Sequence, residues 1–183
     1  EEATKILKNK LAIEKTPGVE DLVTEAFTGD DGLTLVELSA FGVLGSITPV
    51  TNPTETIINN TISAIAGGNS IVFCPHPSAK NISIWVIQFI NKIISEAGGP
   101  KNLVTSSSEA KKENADILFS HEKINMLVVT GGTEIVKLAL KSGKKVIGAG
   151  AGNPPVIVDE TADIQKAARD IVNGASFDNN LPC

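Results

Sequence analysis

Long apolar runs, basic clusters and cysteines are all scarce in this 183-residue chain, and each scarcity excludes a class of protein. No apolar run reaches the roughly 18–20 residues that a membrane-spanning helix needs. The first ten residues lack the apolar core of a signal peptide and do not begin with Met, which fits a piece of a longer protein. Cys74 and Cys183 are the only cysteines and lie far apart, so we expect a reducing, cytoplasmic setting rather than a disulfide framework.

The charge balance argues against two kinds of partner. The chain carries a net charge of −5 and has no basic cluster, which is unfavourable for binding nucleic acid or an anionic membrane. Hydrophobic residues make up 42% and charged residues 20%, as expected for a globular protein. No pattern of residues indicates a metal site.

From about Asn52 onward, helical and strand patterns alternate with short Gly-rich turns, which predicts an α/β fold with a Rossmann-like parallel sheet and helices on both faces. Thr54 is a candidate N-cap of the first helix, and a Ser is expected to cap the polar helix in "SSEAKKENADILFS". "KKVIGAG" and "PPVIVDE" both read as strands. Two helices carry apolar stripes that we expect to be buried. Their members are Ile82, Trp85, Val86, Phe89, Ile90, Ile93, Ile94 and Ala97, and Ile164, Ala167, Ala168, Ile171 and Val172.

The first forty residues differ from the rest. They hold a charged helix, the turn "TGDDG" and extended segments. We therefore divide the chain into an N-terminal helix with extended segments at 1–41 and a nucleotide-binding domain at 42–183.

The glycine spacing in "VIGAGAGNPP" resembles the glycine-rich motif of dinucleotide-binding folds. Gly148, Gly150 and Gly152 follow a strand, but two prolines come next, and a residue before proline is driven to extended geometry. A phosphate loop must open a helix, so these glycines are predicted to join a strand to a strand.

A better strand-turn-helix junction lies in "MLVVTGGTEIVKLAL". Thr130, Gly131, Gly132 and Thr133 stand between a buried strand and a helix, where free N–H groups attract phosphate. A plain β-α turn that needs glycine for its own geometry remains the alternative.

Four segments together resemble the aldehyde dehydrogenase superfamily, and within it the coenzyme A-acylating acetaldehyde and propionaldehyde dehydrogenases linked to bacterial microcompartments. They are "GSITPVTNPTET", "NSIVFCPHPSAKN", "VVTGGTEIVKLAL" and "GAGAGNPPVIVDETADIQKAARDIVNGASFDNNLPC". The resemblance implies that the chain covers the NAD(P)-binding domain up to the nucleophile loop, and that the catalytic domain is absent from it.

The resemblance assigns two catalytic residues. Cys183 falls on the position of the nucleophile in "SFDNNLPC", although Asp178 and the pair Asn180-Leu181 depart from the usual family pattern. A gap-free register places Thr51 on the family's oxyanion-stabilising Asn, and Asn52 beside it is the preferred amide donor. Asn52 could instead simply cap the helix that follows.

The resemblance also implies cofactor contacts from several loops, with NAD as cofactor and NADP as an alternative. The candidates are Thr48, Pro49, His76, Thr130, Gly131, Gly132, Thr133 and Gly148. His76 is the candidate for the adenine side, with a plain surface histidine as the other interpretation. Cys74 and Pro77 stand where many members carry the Lys and Glu that hold the adenosine ribose, and Val136 replaces a second Gly of the phosphate turn.

Gly148 is the residue that distinguishes a coenzyme A-acylating enzyme from a hydrolytic one. In hydrolytic aldehyde dehydrogenases the general-base Glu falls on this position, and water needs that base to attack the thioester. Without it, the acyl group on Cys183 is expected to pass to the thiol of coenzyme A. We therefore predict NAD(P)-dependent oxidation of a short-chain aldehyde to acyl-CoA.

Two alternatives remain: a hydrolytic aldehyde dehydrogenase, and a nucleotide-binding module with no catalysis of its own. The expected partners are a small aldehyde, further copies in a homo-oligomer, and the shell or enzymes of a microcompartment, within which the enzyme would work.

Overall fold

The computed structural model describes residues 2–109, 111–150, 152 and 155–177. Within this range, a helix and a hairpin precede an alternating series of strands and helices. The first elements are α1 (Glu2–Lys15), β1 (Glu25–Gly29), β2 (Gly32–Val36), β3 (Val43–Thr48), α2 (Pro53–Ala66) and β4 (Ser70–Pro75). A short 3₁₀ turn (Pro77–Ala79) then leads to α3 (Lys80–Glu96), β5 (Val104–Ser106), α4 (Lys112–Ser120), β6 (Met126–Thr130), α5 (Thr133–Leu140), β7 (Lys145–Ala149) and α6 (Ile164–Ser176).

Five strands form one parallel sheet in the order β5-β4-β3-β6-β7. In the register, Thr48 lies opposite Pro75 and Ile47 lies opposite Val129, so the four long strands end close to one edge of the sheet. β1 and β2 form a separate antiparallel hairpin whose turn lies at Asp30-Asp31.

The two faces of the sheet bury two different apolar clusters. One face packs against α2 and α3 through Ile57, Val86 and Ile87, and the other packs against α4 and α5 through Leu118 and Ala139. Helices thus cover both faces, and the predicted α/β fold class is confirmed. None of the helices in the described ranges is long and apolar enough to cross a membrane.

Two predicted caps are wrong. Helix α2 begins at Pro53 with Asn52, not Thr54, at the N-cap position. Proline is favoured at the first helical position because its missing N–H would have no partner there. Helix α4 begins after Lys111, and no Ser caps it.

The predicted apolar stripe of α3 is only partly buried. Of the predicted stripe, Val86 is buried, whereas Ile82, Trp85 and Phe89 are each about half exposed (46%, 58% and 49%). The other buried residues of α3 are Ser83 and Ile87, which lie outside the predicted stripe. Trp85 and Phe89 stack on each other with ring centroids 5.4 Å apart. The face that meets the sheet follows the spacing i, i+3, i+4 through Ser83, Val86 and Ile87, so it is rotated around the helix from the predicted stripe. The predicted burial of the α6 stripe is wrong within the described residues: α6 buries none of its side chains, and Ile164, Ile171 and Val172 are exposed.

The strand predicted for "PPVIVDE" does not form. Residues 155–159 belong to no ladder, and Ile157 is 93% exposed. A strand is stable only when a neighbour satisfies its N–H and C=O groups, and this segment pairs with none of the described strands.

Candidate active site

The strand order creates a crevice at one end of the sheet. Strands β4 and β5 follow on one side of β3. The chain then crosses to the other side of β3, where β6 and β7 lie. In open α/β sheets ligands bind outside the carboxyl ends of the strands at such a reversal. Here that point lies between the ends of β3 and β6, at Thr48 and Thr130.

The end of β3 has a buried hydroxyl with no partner. Thr48 is 1% exposed and the following Pro49 is also buried. Among the described residues, the Oγ1 atom of Thr48 finds no hydrogen-bond partner. A buried polar atom that is left unpaired costs free energy, so this hydroxyl is suited to a partner that approaches along the crevice.

The two glycines after β6 differ in whether the surrounding chain leaves room for a side chain. A Cβ on Gly131 would lie 2.8 Å from Ile135 Cγ2, so helix packing within the chain requires a small residue there. A Cβ on Gly132 would meet nothing within 4 Å, and its φ of −64° suits any residue. No contact within the described chain explains Gly132. It stands at the N-cap of α5 with no side-chain cap, beside exposed Thr133, so free N–H groups face the crevice.

The side chain of Asn52 is positioned by a hydrogen bond from its neighbour Thr51 and does not cap helix α2. Its side chain makes no cap hydrogen bond to α2. Instead its Oδ1 accepts a hydrogen bond from Thr51 Oγ1 at 2.9 Å. The amide nitrogen of Asn52 has no partner among the described residues, so both of its N–H groups remain available to an oxyanion. The capping alternative for this side chain is therefore wrong.

Gly148 lies near the end of β7 under the side chain of Val136. A Cβ at position 148 would lie 2.9 Å from Val136 Cγ1, and one at Gly150 would lie 3.9 Å from Val136 Cγ2. The first distance is a clash and the second an ordinary contact. No helix begins directly after these glycines, because α6 starts only at Ile164. Sequence patterns do not reveal this pairing of Val136 with Gly148.

His76 follows β4 at the same edge of the sheet and is exposed. Its Nδ1 accepts a hydrogen bond from the backbone N–H of Ser78 at 3.1 Å, which holds the ring at the start of the 3₁₀ turn. The other ring nitrogen remains available for a ligand. Its contact with the adenine of a cofactor stays a prediction.

Cys74, the last but one residue of β4, is a buried free thiol. Burial raises the pKa of the Cys74 thiol above its ordinary value. The thiolate, which is the nucleophilic form, is therefore rare at neutral pH.

We expect iodoacetamide to leave Cys74 unmodified in the folded chain at pH 7.5 and to modify it fully in denaturant, because the thiol is both buried and protonated. Peptide mapping by mass spectrometry measures the modified fraction. Rapid alkylation of Cys74 in the folded chain would contradict its place in the core.

Cys183 lies outside the described residues. Among the described residues, the ends of β3, β4, β6 and β7 and their candidate residues lie at one edge of the sheet. Phe177 lies beside α1, with Lys8 Nζ 5.3 Å from the centre of its ring. No group of three or more His, Cys, Asp or Glu side chains gathers into a metal site within the described ranges.

An open parallel sheet with helices on both faces and this strand reversal defines a doubly wound, Rossmann-like α/β fold. The aldehyde dehydrogenase family model matches residues 10–180, and the chain belongs to that family. Among curated relatives, the propanal dehydrogenase (CoA-propanoylating) of Salmonella typhimurium is 59% identical over 179 residues, which cover 98% of this chain and 39% of that protein.

Two solved structures show the same fold. Propionaldehyde dehydrogenase of Rhodopseudomonas palustris, with bound CoA and an acylated cysteine, matches with a TM-score of 0.89 and 60% identity, covering 97% of this chain and 40% of that one. The propionaldehyde dehydrogenase of the Clostridium phytofermentans fucose utilisation bacterial microcompartment matches with a TM-score of 0.90 and 56% identity, over 99% of this chain and 42% of that one. The chain thus spans about two fifths of the length of these relatives.

Proposed function

We propose that this chain is the nucleotide-binding part of a coenzyme A-acylating aldehyde dehydrogenase, which oxidises a short-chain aldehyde to acyl-CoA with NAD or NADP. Residues 42–183 would form the cofactor-binding domain, with the catalytic domain outside the chain. The activities named for relatives at 59–60% identity support this proposal.

The observation that carries the acylating activity is the side-chain-free position at Gly148. The resemblance places the general base of hydrolytic relatives there, and Val136 Cγ1 occupies the space that any Cβ would take. A carboxylate at this position would require the α5–β7 packing to change. Water therefore lacks a base at this point, which favours transfer of the acyl group to a thiol.

In the proposed mechanism the thiolate of Cys183 attacks the aldehyde carbonyl, and the oxygen becomes an oxyanion. The amide N–H groups of Asn52 would stabilise that charge. They are free to do so because the hydrogen bond from the Thr51 hydroxyl involves only the amide oxygen of Asn52. The substrate carbon would then lose a hydride, for which a bound nicotinamide dinucleotide would supply the acceptor, and the adduct on Cys183 would become a thioester. The thiol of coenzyme A then attacks the thioester on Cys183 and releases the free thiolate of the enzyme.

The described residues suit a dinucleotide at the strand reversal. The N-terminus of α5 at Gly132 would receive phosphate oxygens, with Thr130, Gly131 and Thr133 around it. Thr48 and Pro49 would line the opposite side of the crevice, and the unpaired hydroxyl of Thr48 would gain a partner.

The test combines binding and turnover. We expect the isolated chain to bind NAD or NADP in calorimetric titration, but to produce little or no propionyl-CoA from propionaldehyde and coenzyme A. The whole enzyme that carries this chain is expected to do so. Robust turnover by the chain alone would contradict the fragment assignment, and free acid as the main product at saturating coenzyme A would favour the hydrolytic alternative. No nucleotide binding would contradict the nucleotide-binding module as well.

Gly132→Asp is expected to weaken nucleotide binding by about tenfold or more without unfolding the chain. An aspartate fits the open space and is itself a favourable N-cap, but its carboxylate would repel a phosphate at the same point. Calorimetry with NAD measures the affinity, and thermal denaturation measures the stability.

Gly150→Ala is the matched control, because its Cβ would make only an ordinary contact with Val136. Equal losses of affinity in the two folded variants would show that the phosphate binds elsewhere.

We also propose that the whole enzyme assembles into a homo-oligomer. We further propose that it acts inside a bacterial microcompartment, since a relative at 56% identity comes from one. Size-exclusion chromatography with light scattering on the whole enzyme tests the first, and co-purification with intact microcompartments tests the second.

A further inference from the structure

The N-terminal helix reaches the loop that carries Asn52. Lys5 of α1 is half-buried, and its Nζ donates a hydrogen bond to the carbonyl oxygen of Thr51 at 3.0 Å, across 46 positions of sequence. The helices α1 and α2 pack together, and Thr16, which directly follows α1, places its Oγ1 2.9 Å from Asn59 Oδ1 of α2. Lys5 is thus held in place by the packing of α1 against α2.

Lys5 binds Thr51, which is also the residue whose hydroxyl orients the side chain of Asn52. The backbone carbonyl of Thr51 accepts from Lys5, while its hydroxyl donates to Asn52 Oδ1. Asn52 itself has φ of −144° and ψ of 60°, outside the helix, and its carbonyl receives the N–H and the hydroxyl of Thr56. The loop is therefore fixed on one side by α2 and on the other by an ammonium group, which makes a stronger hydrogen bond than a neutral donor.

We propose that Lys5 is a positioning residue for the aldehyde oxidation. It holds the Thr51 backbone so that the amide of Asn52 points into the site, and it touches neither substrate nor cofactor. The inference rests on the proposed function of Asn52 as the donor to the oxyanion. Its physical basis is that an oxyanion donor works only when its position is set before the charge develops.

The test compares Lys5→Met with Lys10→Met in the whole enzyme that carries this chain. Methionine keeps a long apolar stem and removes the donor. Lys10 lies on the same helix, pairs only loosely with Glu14 at 3.7 Å with 65% of its side chain exposed, and controls for the loss of one positive charge. We expect Lys5→Met to lower kcat by about three- to tenfold with little change in the aldehyde KM, and Lys10→Met to change neither. Lys5→Arg, which keeps a charged donor, should recover most of kcat.

A double-variant cycle with Asn52→Ala separates positioning from a general effect on stability. Removing the oxyanion donor is expected to lower kcat on the order of 10²–10³-fold. If Lys5 acts through Asn52, adding Lys5→Met to Asn52→Ala should cause no further loss. A further three- to tenfold loss in that background, or equal losses from Lys5→Met and Lys10→Met, would overturn the proposal.

Hydrogen exchange gives a readout that does not depend on activity. We expect the peptide that contains Thr51, Asn52 and Thr56 to exchange faster in Lys5→Met than in Lys10→Met, while peptides from β3 and β6 stay unchanged. Unchanged exchange in the loop would overturn the inference. If the loop loosens but the wild-type enzyme makes no acyl-CoA, the positioning of the loop stands and the proposed function fails.

Discussion

Cys183→Ser in the whole enzyme is expected to abolish acyl-CoA formation, with a loss on the order of 10³-fold or more. A serine hydroxyl is a poor nucleophile without a dedicated base, and its oxyester would be a poorer donor to a thiol. Nucleotide affinity should remain close to that of the wild type, because the candidate phosphate turn at Gly132 is separate in sequence. Acyl-CoA formation is followed by the absorbance of the reduced nicotinamide, and affinity by calorimetry.

Cys74→Ala is the control for losing a thiol. Cys74 is buried among apolar side chains, and burial raises its pKa, so it lacks the properties of a nucleophile. The alanine variant should keep most of the wild-type turnover. Loss of turnover in folded Cys74→Ala together with retention in Cys183→Ser would mean that the nucleophile is wrongly assigned.

The alternation of strands and helices was predictable because each element has its own period and its own stop signals. β4, β6, β7 and the helices between them follow from apolar runs bounded by Gly and Pro. The predicted parallel sheet with helices on both faces follows from that alternation, and the structure confirms it.

The wrong predictions arise where one element depends on another. Residues 155–159 have a strand-like sequence but pair with no strand within the described residues, and a ladder cannot be predicted from one segment alone. The stripe on α3 shows an apolar period, but the face with which the helix meets the sheet decides that Val86 is buried and Trp85 is not.

The same limit applies to the site. The turn at Gly131-Gly132 was visible in the sequence, but which of the two glycines serves packing depends on the distance to Ile135. Likewise, the bond from Lys5 to Thr51 joins positions too far apart for any local pattern to suggest.

Gly148→Glu combined with Val136→Ala is expected to divert the product from acyl-CoA to free acid, raising the rate of acid formation by about tenfold or more. Gly148→Glu alone should lower stability by about 1–3 kcal/mol, because its Cβ would lie 2.9 Å from Val136 Cγ1. Val136→Ala removes both methyl groups that face positions 148 and 150, so it should relieve that clash, and the two changes should be non-additive in thermal denaturation.

The matched control is Gly148→Gln with Val136→Ala, which has the same shape but no base. Propionate and propionyl-CoA are separated by chromatography after turnover of propionaldehyde at saturating coenzyme A. Water attack on a thioester needs a base within hydrogen-bond reach, so only the Glu variant should gain acid. If the Gln and Glu variants release equal shares of acid, the opened space rather than the carboxylate admits water. If the wild-type enzyme already releases mainly acid, the side-chain-free position at Gly148 does not direct the acyl group to coenzyme A.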